Sequence, residues 1–318
     1  MTQHSRPAVV LSVLFAMICG AGIATQARIN GELAKEINDG VLAALISFSV
    51  GLVIVTVAIL VAPSGRRGFG RVVTALKNRD IPWWYVVGGA AGAFLVLSQG
   101  LVAAVLGVAL FSVAIVAGQT LSGLVIDRRG LGSMVPKPVT VTRVVGSALA
   151  LVAVVFAASG QLRSDVPVLL LLLPFFAGFG IGWQQAVNGQ VREVSGSAIT
   201  ATFINFIVGT TVLLIATLAH SLWVGWPAQL PTNPVLYLGG VVGVIFIAGA
   251  AVIVRITGVL LLGLGTIAGQ LLASLLLDIF APVAGHPLSA FTVIGTLLTL
   301  VAVAIAAIPR RRAQTDER

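Results

Sequence analysis

The sequence predicts an all-α integral membrane protein of ten transmembrane helices, arranged as two inverted-topology repeats of five. Three observations predict it. Hydrophobic residues are 58% of the 318 and charged residues only 9%, against about 25% charged in a soluble domain. Ten apolar runs approach or reach the ~20 residues a helix needs to cross the hydrocarbon core of a bilayer. The chain also repeats itself. Gly22-x-x-x-Gln26-x-x-x-Asn30-Gly31 returns 158 residues later as Gly180-x-x-x-Gln184-x-x-x-Asn188-Gly189, and Ser47-Phe48-x-x-Gly51 returns as Asn205-Phe206-x-x-Gly209. Gly88-Gly89-x-x-Gly92, Gly107, Gly118-Gln119 and Asp127 return 151 residues on as Gly239-Gly240-x-x-Gly243, Gly258, Gly269-Gln270 and Asp278; Pro138 and Gly146 return 149 on as Pro287 and Gly295.

The apolar runs cover about 8–28, 41–61, 83–103, 106–126 and 139–158, then 168–188, 198–218, 235–254, 257–277 and 290–308. None alternates with a two-residue period as a barrel strand would, so helices are the way this backbone satisfies itself in lipid. Residues 1–27 have the basic start and apolar stretch of a signal peptide. Their counterpart at 168–188 cannot be cleaved without halving the chain, so the first run is expected to be a structural helix. The two repeats span 7–159 and 166–309, joined by a linker over Ser159 to Pro167. Pro63 to Pro82 is the longest polar connection, and Trp83-Trp84-Tyr85 after it reads as an interfacial belt. Trp223 and Trp226 read the same way on the other face, beside the irregular Pro227-x-x-x-Pro231-x-x-Pro234. Helices three and four are parted only by Ala103–Leu106 and helices eight and nine by a tight turn near Arg255, which predicts antiparallel hairpins.

Five spans per repeat is an odd number, so the second copy must enter the membrane from the opposite side, the plan of many secondary transporters. The charges agree. With both termini cytoplasmic, 15 Lys and Arg fall on the inner side, among them Arg6, Arg66, Arg67, Arg71, Lys77, Arg79, Arg128, Arg129, Lys137 and Arg192, while Arg28, Lys35 and Arg163 fall outside. That bias follows the positive-inside rule and accounts for the net charge of +9 without a nucleic-acid partner. Arginine outnumbers lysine 16 to 3 amid much Ala, Gly and Val, which fits a GC-rich bacterial genome. The lone Cys19 precludes an internal disulfide.

The glycine clusters Gly178-x-Gly180-x-Gly182 and Gly263-x-Gly265-x-x-x-Gly269 lack the preceding strand of a nucleotide loop. Small residues four apart instead let helices approach closely. Gln26 and Asn30 share one stripe of the first helix, and Gln184 and Asn188 the matching stripe of the sixth. Amides in lipid are costly without partners, so these face the interior, either as the lining of a central cavity or as interhelical hydrogen-bond glue. Gln119 and Gln270 each precede an aspartate by eight residues, about 12 Å of helix, and so lie deep in the hydrocarbon zone; solute contact and packing glue are both open for them. Ser47 and Asn205 extend the polar lining. Asp127 and Asp278 fit helix-end anchors or, alternatively, a proton- or ion-linked gate. Arg28 runs against the charge rule and is expected to pair with Glu32. No carboxylate sits mid-helix, which disfavours exchange built on a central acid. No metal cluster, Ser-His-Asp set or phosphate loop is evident, so neither catalysis nor a cofactor is expected.

Gly-x-x-x-Gln-x-x-x-Asn-Gly, Phe-x-x-Gly and Gly118-Gln119 with Asp127 eight residues beyond the glutamine resemble the motifs of the YdcZ family of the drug/metabolite transporter (DMT) superfamily. The resemblance covers about 8–308 in both halves, as in a fused two-unit member. It implies a ten-helix inner-membrane protein with a DMT-transporter-like fold, and it supplies no substrate. The second copy departs after Asp278, where Ile279-Phe280-Ala281-Pro282 replaces Arg128-Arg129-Gly130-Leu131. The function expected is secondary transport of a small metabolite or drug-like solute by alternating access, through a midplane site between the repeats. The solute is expected to be neutral or zwitterionic, with a proton or ion as candidate coupling partner and a homodimer as candidate assembly. The alternative is a non-transporting membrane subunit or regulator whose polar stripes are glue.

Overall fold

The computed structural model describes residues 6–129, 141–159, 168–227, 229–282 and 288–306; within them the side chains of 6–10, 12–13, 127, 143, 158, 168, 248–264 and 306 are outside the description. Among the described residues the chain is helical throughout, without strands. In the first half α1 (Arg6–Ile37), α2 (Gly40–Val61) and α3 (Pro63–Lys77) lead to a compound span. That span is a 3-10 turn (Trp83–Gly88), α4 (Gly89–Ser98), a π turn (Gln99–Ala103) and α5 (Ala104–Leu106), followed by α6 (Val108–Arg129) and α7 (Val141–Ser159). The second half holds α8 (Leu172–Ser195), α9 (Ala198–Val224), α10 (Gly239–Phe280) and α11 (Ala290–Ala306).

Among the described residues five helical stretches are long and apolar enough to cross a membrane: Gly40–Val61, Trp83–Leu106, Val108–Ile126, Leu169–Ser195 and Ala198–Val224. Val144–Ala157, Pro234–Ile247, Gly265–Phe280 and Ala290–Ile305 are apolar but shorter.

Helix ends follow local chemistry. α1 closes on Asn38 in the left-handed region (φ +54°) and α8 on Gly196 (φ +61°), positions 158 apart. The next residue in each case caps the following helix. Asp39 Oδ1 accepts from the Val41 and Leu42 amides, both at 2.9 Å, and Ser197 Oγ accepts from the Thr200 amide at 3.3 Å, so donors at each helix start are satisfied.

Three expectations need correction. The connection after Pro63 is α3, an amphipathic helix. It buries Gly65, Gly68, Val72 and Ala75, and Thr200 Oγ1 donates to the Gly65 carbonyl at 2.8 Å. Arg66 and Arg67 stay exposed, the arrangement of a helix lying at an interface. The joint between helices three and four is not Ala103–Leu106, which remains helical, but the single residue Gly107, at φ +77° and ψ 156°, where a side chain would be strained. Helices eight and nine are joined without the non-helical turn expected near Arg255, as the single helical element α10. Straight, its 42 residues would reach about 63 Å. It is not straight. Gly239 packs on Asn30 while Asp278, near the other end, packs on Gly107, itself three residues beyond the Ala104 that touches Gly31. Both ends therefore return to one end of α1, and α10 doubles back.

Packing is crosswise. α1 lies chiefly on α10, α6 on α8, α7 on α11 and α2 on α9. Glycines make the crossings, and each crossing has a counterpart at the sequence offset. A Cβ on Gly20 would overlap the Thr266 carbonyl and one on Gly178 the Ile115 carbonyl; Gly269 meets Met17 O as Gly118 meets Phe175 O, and Gly240 meets Ser47 O as Gly89 meets Asn205 O. The core centres on α6, whose Val108–Ala117 stretch is buried on every side.

Candidate functional site

Two groups of buried amides lie between the halves. In the first, α1 carries Gln26 and Asn30, α2 carries Ser47, and the π turn carries Gln99. Gln26 Nε2 donates to the Gly239 carbonyl at 3.1 Å and Asn30 Nδ2 to Gln99 Oε1 at 2.7 Å. In the second group α8 carries Gln184 and Asn188, and α9 carries Asn205. Gln184 Nε2 and Asn188 Nδ2 both donate to Asn205 Oδ1, at 2.8 and 3.1 Å. All of these side chains are buried except Asn188, which is half-buried.

Between the groups sit Phe48 and Phe206, their ring centroids 5.1 Å apart. Each ring fills the hollow left by a glycine of the other half: Phe206 lies on Gly51 and Phe48 on Gly209. A Cβ on Gly92 would meet Gln184 Nε2 at 2.5 Å and Phe48 Cζ at 3.4 Å; one on Gly243 would meet Gln26 Nε2 at 2.7 Å and Phe206 Cζ at 3.8 Å. Each amide group thus abuts one ring of the pair.

Gln119 and Gln270, equivalent in sequence, differ in setting. Gln270 is 1% exposed, and neither its Nε2 nor its Oε1 has a hydrogen-bond partner. A buried polar group left unpaired costs about 1–3 kcal/mol. Gln119 on α6 is half-buried. Asp278 accepts from the Val108 amide at 3.1 Å and the Ala109 amide at 2.7 Å, so a carboxylate of the second half caps a helix of the first. The side chains of Asp127, Arg143 and Arg255 lie outside the described residues, as do Lys137, Arg163 and the linker from 160 to 167. Arg28 pairs with Glu32 at 3.2 Å, as the i,i+4 spacing predicts. Trp223 and Trp226 are exposed, in keeping with an interfacial place. An open cleft of about 420 Å³, lined by Val125, Arg128 and Arg129, lies at the last turn of α6, about 13 Å along the helix from Gln119.

Sequence reasoning passed over Gln99, fully buried at the centre of the first group. Its signal was present: an amide inside an apolar run always needs a partner. It also passed over the pairing of Phe48 with Phe206, although the shared Phe-x-x-Gly spacing marks both.

The comparisons with known proteins come to three. A family profile described as "Putative inner membrane exporter, YdcZ" matches residues 11–156 and 169–305. No curated protein matches the chain. A solved structure titled only "Crystal structure of protein" is similar at 17% identity, covering 95% of this chain and 98% of its own, with a TM-score of 0.53; at that identity the likeness is one of fold. Matched by the profile across both halves, this membrane protein belongs to the YdcZ family of the drug/metabolite transporter superfamily.

Proposed function

We propose that the protein is a secondary transporter that moves a small neutral or zwitterionic solute across the inner membrane by alternating access. The family's description as an exporter favours outward movement. The observation that carries the reading is Gln270, an amide buried in an apolar helix with both polar atoms unpartnered. Such a group is costly to keep unless a solute satisfies it during the cycle. Gln119 is its counterpart. Gln26, Asn30, Gln184, Asn188, Ser47 and Asn205 line the two approaches, and the Phe48–Phe206 pair separates them.

In this reading the chain spans the membrane ten times, with the doubled-back α10 contributing two spans. The halves are inverted, and both termini are cytoplasmic. Support comes from the five apolar runs in each half of the sequence, from the 15 inner against 3 outer basic residues that this orientation gives, and from the glycine crossings that recur at the sequence offset. The halves then rock about the midplane. Asp278, gripping the start of α6 next to the Gly107 joint, and its counterpart Asp127 are the gate and ion-coupling candidates. One observation favours the glue alternative locally: Gln184 and Asn188 both donate to Asn205 Oδ1 within their own half, although Asn205 Nδ2 is left without a partner.

The test is thermal stability of the detergent-purified protein against a broad panel of metabolites and drugs. A ligand at about 100 times its dissociation constant adds about 2.7 kcal/mol if it binds only the folded state. The stabilisation is expected to disappear in Gln119→Ala and Gln270→Ala. If no compound stabilises the protein and the variants are merely less stable, the transport reading is wrong.

A further inference from the structure

Three buried polar atoms of the first amide group point to the chemistry of the solute. After Asn30 Nδ2 has donated to Gln99 Oε1, Asn30 Oδ1, Ser47 Oγ and Gln99 Nε2 have no partner. The three side chains are 0%, 2% and 0% exposed, so water does not serve them. Asn30 Oδ1 and Ser47 Oγ both crowd the point where a side chain on Gly239 would begin, so the two atoms face one spot. The result does not depend on how the amides are oriented. If both are flipped, the mutual bond reverses direction and one donor with one acceptor is again left open.

A second, independent feature falls on the same residue. Gln99 opens the π turn Gln99–Ala103, and single π turns inside α-helices occur frequently at functional sites. Here the turn is clamped. A Cβ on Gly100 would meet the Gly40 carbonyl oxygen at 2.5 Å, and one on Gly31 the Ala104 nitrogen at 3.0 Å. Those contacts hold Gln99 against Asn30. Relaxing the extra residue into α geometry would rotate Gln99 by about 100° around its helix, which is a route by which the amide could be turned between solute and Asn30.

The second half does not reproduce this. Asn205 stands where the first half has Ser47, and its Oδ1 takes both neighbouring amides; the position 151 residues after Gln99 is Ala250. The second group leaves one buried atom open, Asn205 Nδ2, against three in the first. The open atoms of the first are one N–H donor, one carbonyl acceptor and a hydroxyl that does either, with no charge among the three; Arg28, two residues before Asn30, pairs with Glu32 through one guanidinium nitrogen and leaves its Nη1 without a partner.

We propose that Asn30, Ser47 and Gln99 form a hydrogen-bonding half-site that reads a neutral primary carboxamide on the solute, with Gln99 Nε2 donating to its oxygen and Asn30 Oδ1 accepting from its N–H. Neither a carboxylate nor an ammonium would find an opposite charge among these three atoms, and the benzoate probe tests whether Arg28 supplies one. The assignment rests on the transport reading and narrows its substrate class.

The experiment uses the full-length protein, in detergent for ligand-induced thermal shifts and in proteoliposomes for counterflow. The probes are benzamide, N,N-dimethylbenzamide, benzoate and benzylamine at millimolar concentration. Benzamide is expected to stabilise the wild type and to support counterflow, and the dimethyl analogue, which cannot donate, is expected to bind at least tenfold more weakly. The two charged probes should do neither. Gln99→Leu should lose the benzamide response, and Ser47→Ala, the smaller change, should weaken it severalfold while its ligand-free melting temperature stays near that of the wild type. Equal responses to benzamide and its dimethyl analogue, no response to benzamide at all, or an undiminished response in both variants overturns the half-site. A solute of another class that supports counterflow in wild type and Gln99→Leu alike would sink this assignment and leave transport standing. Absence of counterflow with every compound would sink both.

Discussion

Substituting Gly118 by alanine tests the crosswise packing directly. Gly118 sits where α6 crosses α8, and a Cβ there would overlap the Phe175 carbonyl oxygen and stand 2.8 Å from the Phe179 nitrogen. Both obstacles are backbone, so no side chain can swing aside. The helices must separate by more than about 1 Å, and the Ile115–Gly178 contact on the other side of the same crossing loosens with them. Overpacking of this kind costs about 1–3 kcal/mol, to which the lost dispersion along the crossing adds. Gly123, five residues on in the same helix, has nothing within 4 Å of the equivalent position. Alanine there gains at most about 1 kcal/mol of helix propensity, and less in a membrane, where the unfolded reference state keeps its helices. The pair should therefore separate by about 1–4 kcal/mol in opposite directions from wild type. Unfolding in mixed micelles with rising SDS fraction, followed through the chain's five tryptophans, measures it. A Gly118→Ala midpoint equal to wild type, or an equal loss in Gly123→Ala, would refute the close-crossing argument.

Other perturbations follow from the same contacts. Asp278→Ala leaves the Val108 and Ala109 amides without their acceptor, and should cost about 1.5–3 kcal/mol on the scale of hydrogen bonds to charged groups; the same SDS titration reads it, and a loss below about 0.5 kcal/mol would contradict the cap. A double-mutant cycle on Phe48→Ala and Phe206→Ala should return a coupling of about 0.5–1.5 kcal/mol for the ring pair, whereas strict additivity would mean the rings act separately. Topology is accessible because Cys19 is the only cysteine. In a Cys19→Ala background, a membrane-impermeant maleimide added to intact cells should label Trp226→Cys and spare Arg66→Cys, and the reverse pattern would overturn the proposed orientation.

Much of this architecture could be read from the chain, for identifiable reasons. The duplicated motifs were legible because crossing glycines and buried amides cannot drift far in sequence without breaking a contact, and the glycine pairs do meet across the halves. The Arg28–Glu32 pair was legible because i,i+4 spacing is local. α3 was read as a polar connection, although Gly65, Gly68, Val72 and Ala75 already mark one face at helical spacing; its many arginines masked a short apolar stripe. Gly107 rather than Ala103–Leu106 makes the hairpin joint, since only glycine accepts that φ, and the sequence offers several small residues nearby. Gln119 and Gln270 were equivalent on paper, yet only Gln270 is fully enclosed, because burial depends on which neighbours α6 and α10 meet. Gln99 escaped notice because it has no amide counterpart in the other repeat, so a search guided by duplication passes over it.

The bond from Gln26 to the Gly239 carbonyl spans 213 residues, and that separation has a meaning in time. Synthesis at about 5–20 residues per second delivers Gly239 roughly 10–40 s after Gln26. During that interval the amide of α1 is already made but its acceptor is not, and the glycine face that receives α10 has nothing to press against. Gln184, by contrast, emerges after Gly88 and Gly92, and its acceptor Asn205 follows only 21 residues later. The second half thus assembles onto a finished template, while the first must wait beside the translocon with a polar stripe uncovered. A nascent chain arrested before α10 therefore leaves both α1 and α7 without the helices they chiefly pack on, α10 and α11, and the first helix made is among the last to be secured.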